Sequence, residues 1–373
     1  MQSNLLWPVN ERFPRFSGTS AVDVGVIGGG IAGISAAYHL KNAGYKVALL
    51  ERNEVGNGAT GASSGILYYG SGTNFMPAIK LFGKEKARFL WKETATVIEE
   101  TSKLIKEYGI DCGFRNCGVI TAAKTEQEAK ELEAEQDELK ECGISAKLLS
   151  TAQLKEIFPK RPFLAGLKFD ACVQIHPARF ASGLAKAAGI DVYENSEAIE
   201  WEELDDGVTV KTKYGMLKCS KLVMATNIKP LFGLETNFYK ESSVIIASGK
   251  METVKDVWPQ DTIIQTMEED YDMIYTEDGR CMLELYRLKN VDLKLNYYYP
   301  GTGFKKEMQW GGVWSKTKDW LPIVGKVKDN IHVSICMGDQ GITMGFLSGK
   351  NMVDSVKGER NMFLDMASPG RFA

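Results

Sequence analysis

The sequence predicts an α/β protein. A Rossmann-type nucleotide-binding domain is interleaved with an α+β domain built on a mixed or antiparallel sheet. Three observations predict it. A strand, a glycine turn, a helix and a second strand follow one another within residues 22–51. A β-rich, aromatic stretch runs from Ser243 to Gln309. A further strand, turn and helix close the chain between Ile331 and Val356. The length, 373 residues, suits two domains rather than one.

The first unit is the most regular. Val22–Ile27 reads as a buried parallel strand, Ile34–Ala43 as a helix and Lys46–Leu50 as a second strand closed by Glu51. The turn between strand and helix reads Gly28-Gly29-Gly30-Ile31-Ala32-Gly33. In such a turn the first glycine makes the bend. The second lets backbone approach a pyrophosphate, and the third lets helix and strand pack closely. The helix N-terminus offers free N–H groups and partial positive charge to phosphates. Glu51 accepts from ribose hydroxyls and repels a 2′-phosphate. A dinucleotide without that phosphate is therefore expected here.

Next comes the glycine- and serine-rich run Gly56–Gly65, which leads directly into Ile66-Leu67-Tyr68-Tyr69. Its place inside a domain argues for a ligand loop rather than a linker. Residues 83–108 and Thr125–Glu141 carry many Lys/Glu pairs and read as solvated helices. Pro177–Ala188 reads as an amphipathic helix. Strands follow at Asp191–Tyr193, Val208–Thr212 and Lys221–Ala225. The expected division puts residues 1–82, 147–228 and 317–360 in the nucleotide-binding domain and 83–146 and 229–316 in the other. Residues 361–373 are expected as a loose tail.

Composition excludes several classes. Net charge is -3, so no basic field attracts nucleic acid or an anionic membrane. The seven cysteines form no Cys-x-x-Cys pair or Cys/His cluster, so no metal site is expected. Their odd number suits a reducing compartment. The first residues lack the apolar core of a signal peptide, and no apolar run reaches about 18 residues. A cytoplasmic enzyme is expected.

The run VIGGGIAGISAAYHLKNAGYKVALLERNEVGNGATGASSG resembles the FAD-dependent amino-acid and amine oxidoreductases. D-amino acid oxidase, glycine oxidase, sarcosine oxidase and γ-glutamylputrescine oxidase belong to that group. Lys221–Asn227, Asp278-Gly279-Arg280, Asp319-Trp-Leu-Pro322-Ile-Val-Gly325 and Gly338-Asp-Gln-Gly341-Ile-Thr343 resemble further motifs of the family. The resemblance implies FAD rather than NAD, held without a covalent link. Residues 315–325 contain no cysteine, residues 56–70 no histidine, and Cys336 lies in an apolar strand. It further implies that Arg52 follows the ribose-binding Glu51. Ala59, Thr60, Ser63, Ser64, Gly65 and Ile66 pass under pyrophosphate and ring. Ala198 meets the adenine, and Ala225 and Thr226 contact the nucleotide. Gly338, Gln340, Gly341, Ile342 and Thr343 present a helix N-terminus to the ring's N1–C2=O edge.

The implied reaction is hydride transfer from a carbon next to nitrogen to flavin N5. The imine is then hydrolysed, and electrons pass to O2, a quinone or an acceptor protein. Two departures qualify the substrate. Trp314 stands where a Gly-Leu-Arg-Pro pattern supplies a carboxylate-binding arginine, and Asp339 stands at a second arginine position. Losing both removes charge-assisted contacts of roughly 1.5–3 kcal/mol each. A cationic or secondary amine fits better than a simple amino acid, and the γ-glutamylputrescine oxidase branch is the nearer comparison. Tyr271, Tyr275, Tyr286, Arg287 and Trp310 are nominated for the substrate side, alongside Trp314. Lys250 is nominated as an oxygen-activating cation. Each reads equally as sheet core or surface, and His176 as a helix-start residue. A 2-hydroxy-acid or glycerol-phosphate-type dehydrogenase, an electron-transferring subunit and a non-enzymatic FAD-binding protein remain open, as does self-association.

Overall fold

The computed structural model describes residues 9, 11–158, 162–228, 232–251, 262–267, 271–276, 278–285 and 303–372. Two sheets organise them. In the first, the strand order is Ile323–Lys326, Ile331–Ile335, Gly215–Met224, Gly18–Ile27, Val47–Leu50, Asp191–Tyr193. Its four central neighbour pairs are parallel. The antiparallel strands Glu200–Leu204 and Gly207–Lys211 extend it at one side. Val24, Val26, Leu49, Leu222 and Val333 are fully buried, as expected of a parallel sheet covered on both faces.

In the second sheet the order is Lys306–Thr317, Phe238–Ser248, Cys281–Leu285, Tyr271–Tyr275, Thr262–Thr266, Arg115–Ala123, Ala165–Gln174, Ile66–Leu67. All its pairs are antiparallel except Thr262–Thr266 with Arg115–Ala123, which are parallel. This is the mixed sheet the sequence predicts. Two strands fall elsewhere than expected. Ala146–Ser150 and Ala165–Gln174 pair into this second sheet although residues 147–228 read as nucleotide-binding. The chain leaves it only at Ile175, where helix Pro177–Ala187 begins and packs toward the first sheet.

Helix Ile31–Asn42 crosses helix Gly341–Lys357 at close range. A Cβ on Gly345 would lie 2.7 Å from Ile31 Cγ2, and one on Gly349 would lie 2.5 Å from Ala36 N. The Ser35 hydroxyl donates to Phe346 O at 2.8 Å. Two small residues one turn apart thus bring both helix N-termini to one region. The final residues, expected as loose, fold into helix Met362–Ala367 and a 3-10 turn at Pro369–Phe372. The Asn361 side chain caps the helix by accepting from Leu364 N–H at 2.8 Å. Arg371 anchors the turn on Asp319. Capping and this single ion pair override the polar, irregular look of the segment.

Of the three histidines, His332 is buried and His39 and His176 are half-buried. Burial lowers His39, His176 and His332 from 6.5 to about 4. The unfolded chain takes up these protons near 6.5 and the folded chain only near 4, so stability falls as pH drops through that window. Burial pushes Glu135 up to about 7, which acts in the opposite sense as pH rises from 4.5. The histidines outnumber it. We expect the urea midpoint to fall between pH 6.5 and 4.5, approaching roughly 3 kcal/mol per histidine near pH 4. Replacing His332, whose Nδ1 lies 2.8 Å from Ser355 Oγ, by Asn flattens the drop. An unchanged slope in that variant refutes the assignment.

Candidate active site

Strand Gly18–Ile27 ends at a turn whose glycines are sterically required. Gly28 has φ of 111°, and a Cβ there would lie 2.4 Å from Ala225 O. A Cβ on Gly33 would lie 1.9 Å from Gly28 O. Helix Ile31–Asn42 then begins with no acidic residue in its first turn and no side-chain cap from Gly30. The Thr60 hydroxyl accepts from Ile31 N–H at 3.0 Å. Glu51 accepts from Gly29 N–H at 2.7 Å and from Asn53 N–H at 2.8 Å, which fixes its carboxylate against the turn.

A cleft of about 460 Å³ opens from this turn. Among predicted residues, Gly28, Gly30, Ile31, Ala32, Glu51, Arg52, Ala59, Thr60, Ser63, Ser64, Ile66, Ala198, Ala225, Thr226, Gly338, Gln340, Gly341 and Ile342 line it. Gly29, Gly33, Gly65 and Thr343 stand behind the wall. Gly65 (φ 82°) lies against Ile175 O, where a Cβ would come within 2.1 Å. Thr343 is fully buried and accepts from Tyr68 N–H at 3.2 Å, tying the last helix to the early loop.

The second helix N-terminus is arranged like the first. Helix Gly341–Lys357 has neither a side-chain cap nor an acid in its first turn. Gly338, with φ of 69°, donates its N–H to Ser315 O at 3.1 Å, holding the preceding loop against the second sheet. Thr226 Oγ1 and Ser334 Oγ are buried and without a partner among the described residues, in a wall that both residues line. Two helix N-termini with no acid in their first turns, a glycine cradle, a fixed carboxylate and unpaired hydroxyls fit an elongated, phosphate-bearing polar ligand such as FAD.

The substrate-side nominations divide. Trp314 and Asp339 both line the cleft. Lys250 is exposed and absent from the wall. Tyr275 is also absent from it, because its hydroxyl reaches Met251 O (3.4 Å) at the hairpin end of its strand. Trp310 is buried in the core. His176 begins helix Pro177–Ala187 as its N-cap residue. Tyr271 pairs with Leu285 through its strand. Its side chain, and the residues Trp258, Tyr286, Arg287 and Tyr297–Tyr299, lie outside the described residues.

Sequence reasoning missed several wall residues, among them Asn227, Ser243, Gly311, Gly312 and Met337. Glu284 is a further wall residue. It is 6% exposed and lines the cleft. Burial raises its pKa above the ordinary carboxylate value, against the Ser64 and Ser243 side chains, which lower it. The signal was one acid inside the apolar run Cys281-Met-Leu-Glu-Leu285, a strand buried at every position. Among the described lining residues, Glu51, Glu197, Glu284 and Asp339 are acidic and Arg52 alone is basic.

Comparison with known proteins agrees with this geometry. Residues 23–355 match the family described as FAD dependent oxidoreductase (DAO). The probable oxidoreductase OrdL of Haemophilus influenzae is 25% identical over 93% of this chain and 86% of its own length. The γ-glutamylputrescine oxidoreductase of Escherichia coli K12 is 25% identical over 94% of this chain and 87% of its own. The L-amino acid deaminase of Proteus myxofaciens superposes with a TM-score of 0.83 at 16% identity, covering 100% of this chain and 97% of that one. The structural likeness concerns the fold. No helix among the described residues is long and apolar enough to cross a membrane.

Proposed function

This chain belongs to the DAO family of FAD-dependent oxidoreductases, and on that premise we propose that it oxidises the C–N bond of an amine that enters as a cation: the nitrogen gives its extra proton to solvent, and the neutral amine then yields a hydride and becomes an iminium. FAD, when bound, supplies a hydride acceptor at its N5. Everything else is the protein's work. In this reading Gly28, Gly30, Ile31 and Ala32 take the pyrophosphate on the first helix N-terminus, with Thr60 beside them. Glu51 takes the ribose hydroxyls, Glu197 and Ala198 flank the adenine, and Ala225 and Thr226 border the nucleotide. Gly338, Gln340, Gly341 and Ile342 place the second helix N-terminus where negative charge gathers on reduction. Thr343, Gly65 and Gly33 hold these walls in position from behind. No cysteine or histidine is among the described lining residues, which supports a non-covalent cofactor.

The observation that carries the substrate reading is the sign of the charge in the cleft. Trp314 and Asp339 occupy the positions where arginines would clamp a carboxylate, and Glu284 adds a second acid. Such a wall repels a bare carboxylate and attracts an ammonium group. Trp314 adds an aromatic ring to the same wall, with Lys316 Nζ 5.9 Å from its centroid. The name of the E. coli relative, an amine oxidoreductase, supports the reading. We assign residues 1–82, 147–228 and 317–360 to cofactor binding, with the strands at 146–150 and 165–174 shared with the second sheet.

The test is product stoichiometry. Turnover with a primary or secondary amine is expected to release one carbonyl product and one equivalent of ammonia or smaller amine. Oxygen as acceptor adds one peroxide, whereas a quinone or acceptor protein adds none. Formation of a 2-keto acid or dihydroxyacetone phosphate from a hydroxylated substrate, with amines inert, refutes the reading.

A further inference from the structure

We propose that Glu284 is the specificity-determining residue that receives the substrate's ammonium group. This rests on the amine reading above and names the residue that makes the cleft selective for a cation.

The placement follows from strand register. Ile245 pairs with Glu284 across one neighbour and with Trp310 across the other. Ser243 pairs with Gly312, and Glu241 with Trp314. Side chains alternate along a strand, so Glu284, Ser243, Gly312 and Trp314 share one face of the second sheet. That face is pressed against the early ligand loop. A Cβ on Gly312 would lie 2.9 Å from Ala62 Cβ, and Glu284 meets the Ser64 side chain. Gly312, opposite Ser243 on that face, leaves the floor there without a side chain.

The energetics point the same way. A carboxylate only 6% exposed is costly unless matched by a cation or by enough donors. The Ser64 and Ser243 hydroxyls favour its charged form. A carboxylate offers about four acceptor sites. No lysine, arginine or histidine among the described residues forms an ion pair with it. A structural carboxylate in such a core is normally paired. One that faces a ligand cleft with spare acceptor capacity is prepared for a cation from outside. An ammonium group bound there gains charge-assisted hydrogen bonds in a dry environment. The Trp314 ring, on the same face, borders the same space.

The experiment compares the holoenzyme with Glu284→Gln, which keeps shape and removes charge. The probes are tetramethylammonium and tert-butanol, matched in size and differing in charge, each titrated against the bound-flavin absorption spectrum. Wild type is expected to bind the cation at least tenfold more tightly than the alcohol. Glu284→Gln is expected to lose at least tenfold in cation affinity while alcohol affinity and flavin content stay unchanged. Its thermal midpoint is expected to hold or rise, because neutralising a buried carboxylate with no cation partner among the described residues removes a desolvation cost. With an amine that bleaches the flavin, the loss appears in KM more than in kcat. Equal cation affinity in both proteins overturns the inference, as does a wild type that fails to prefer the cation. Should Glu284→Gln lose its flavin, Asp339→Asn decides: a cation preference of wild-type size in that variant upholds Glu284, and its disappearance overturns the assignment. The probe titration needs no turnover. A cation site without amine oxidation therefore overturns only the proposed reaction, and amine oxidation with no cation preference overturns only the role of Glu284.

Discussion

Gly33→Ala is expected to purify colourless. A methyl at this position would lie 1.9 Å from Gly28 O and 3.4 Å from Ala225 Cβ. The first of these atoms is backbone in the tightest part of the turn, so no rotamer relieves the clash. Helix Ile31–Asn42 must then move outward by more than an ångström. Its N-terminus leaves the phosphate position, and the Thr60 contact to Ile31 N–H stretches with it. The helix is also locked to helix Gly341–Lys357 through Ser35 and Gly349, so the displacement reaches the second N-terminus. Losing both dipole contacts and several N–H donors removes roughly 3 kcal/mol or more of binding free energy, a hundredfold or larger fall in FAD affinity. The ratio of absorbance at 450 nm to that at 280 nm after gel filtration measures it. Wild-type flavin content in Gly33→Ala contradicts the role given to the turn.

Arg371→Met is expected to produce the largest loss of stability from a single change near the C-terminus. Arg371 meets Asp319 twice, at 2.8 and 3.1 Å, and donates to the carbonyls of Leu321, Ala367 and Ser368. Its side chain is 13% exposed. Burial alone raises the Asp319 pKa, but Arg371, Thr317 and the Leu321 N–H together hold it below the usual carboxylate value. Removing the guanidinium leaves a half-buried carboxylate with the weaker donors only, which costs about 3 kcal/mol. Asp319 also accepts from the Thr317 hydroxyl at the end of the strand that carries Trp314 and Ser315. The change therefore loosens one wall of the cleft as well. Urea unfolding at pH 7 measures the loss. Because Asp319 is held down in the folded state, the stabilisation is present above the ordinary aspartate pKa and fades as pH falls through the lowered one. The variant and wild type converge in strong acid. An unfolding free energy within about 0.5 kcal/mol of wild type at pH 7 sinks the prediction.

Much of the first sheet was legible because its code is local. The glycine turn at Gly28, strand Ile331–Ile335 and strand Asp191–Tyr193 stand where the sequence places them. Each joins buried β-branched residues to a glycine or helix boundary. The second sheet was harder. Arg115–Ala123 and Ala165–Gln174 contain alanine, glycine and charged residues, and they become strands by pairing with each other and not by propensity. The end of the chain was misread for a similar reason, since Arg371 and Asp319 are 52 positions apart and only the fold joins them. Within the cleft, residues that contact phosphates through backbone were visible from their glycines. Apart from Trp314, those presented by the second sheet were not, because register decides which face a side chain occupies. Ser243 and Glu284 become neighbours through Ile245, a relation absent from the linear sequence.

The central claim is that the cleft binds FAD and reduces it with an amine. Anaerobic mixing of the holoenzyme with amines, α-amino acids, 2-hydroxy acids and glycerol 3-phosphate tests it most directly, with absorbance at 450 nm followed over time. Bleaching is expected with one or more amines, and at least a hundredfold slower bleaching with every hydroxylated acid and with glycerol 3-phosphate. Bleaching by a hydroxy acid or glycerol 3-phosphate while all amines leave the spectrum unchanged would contradict it.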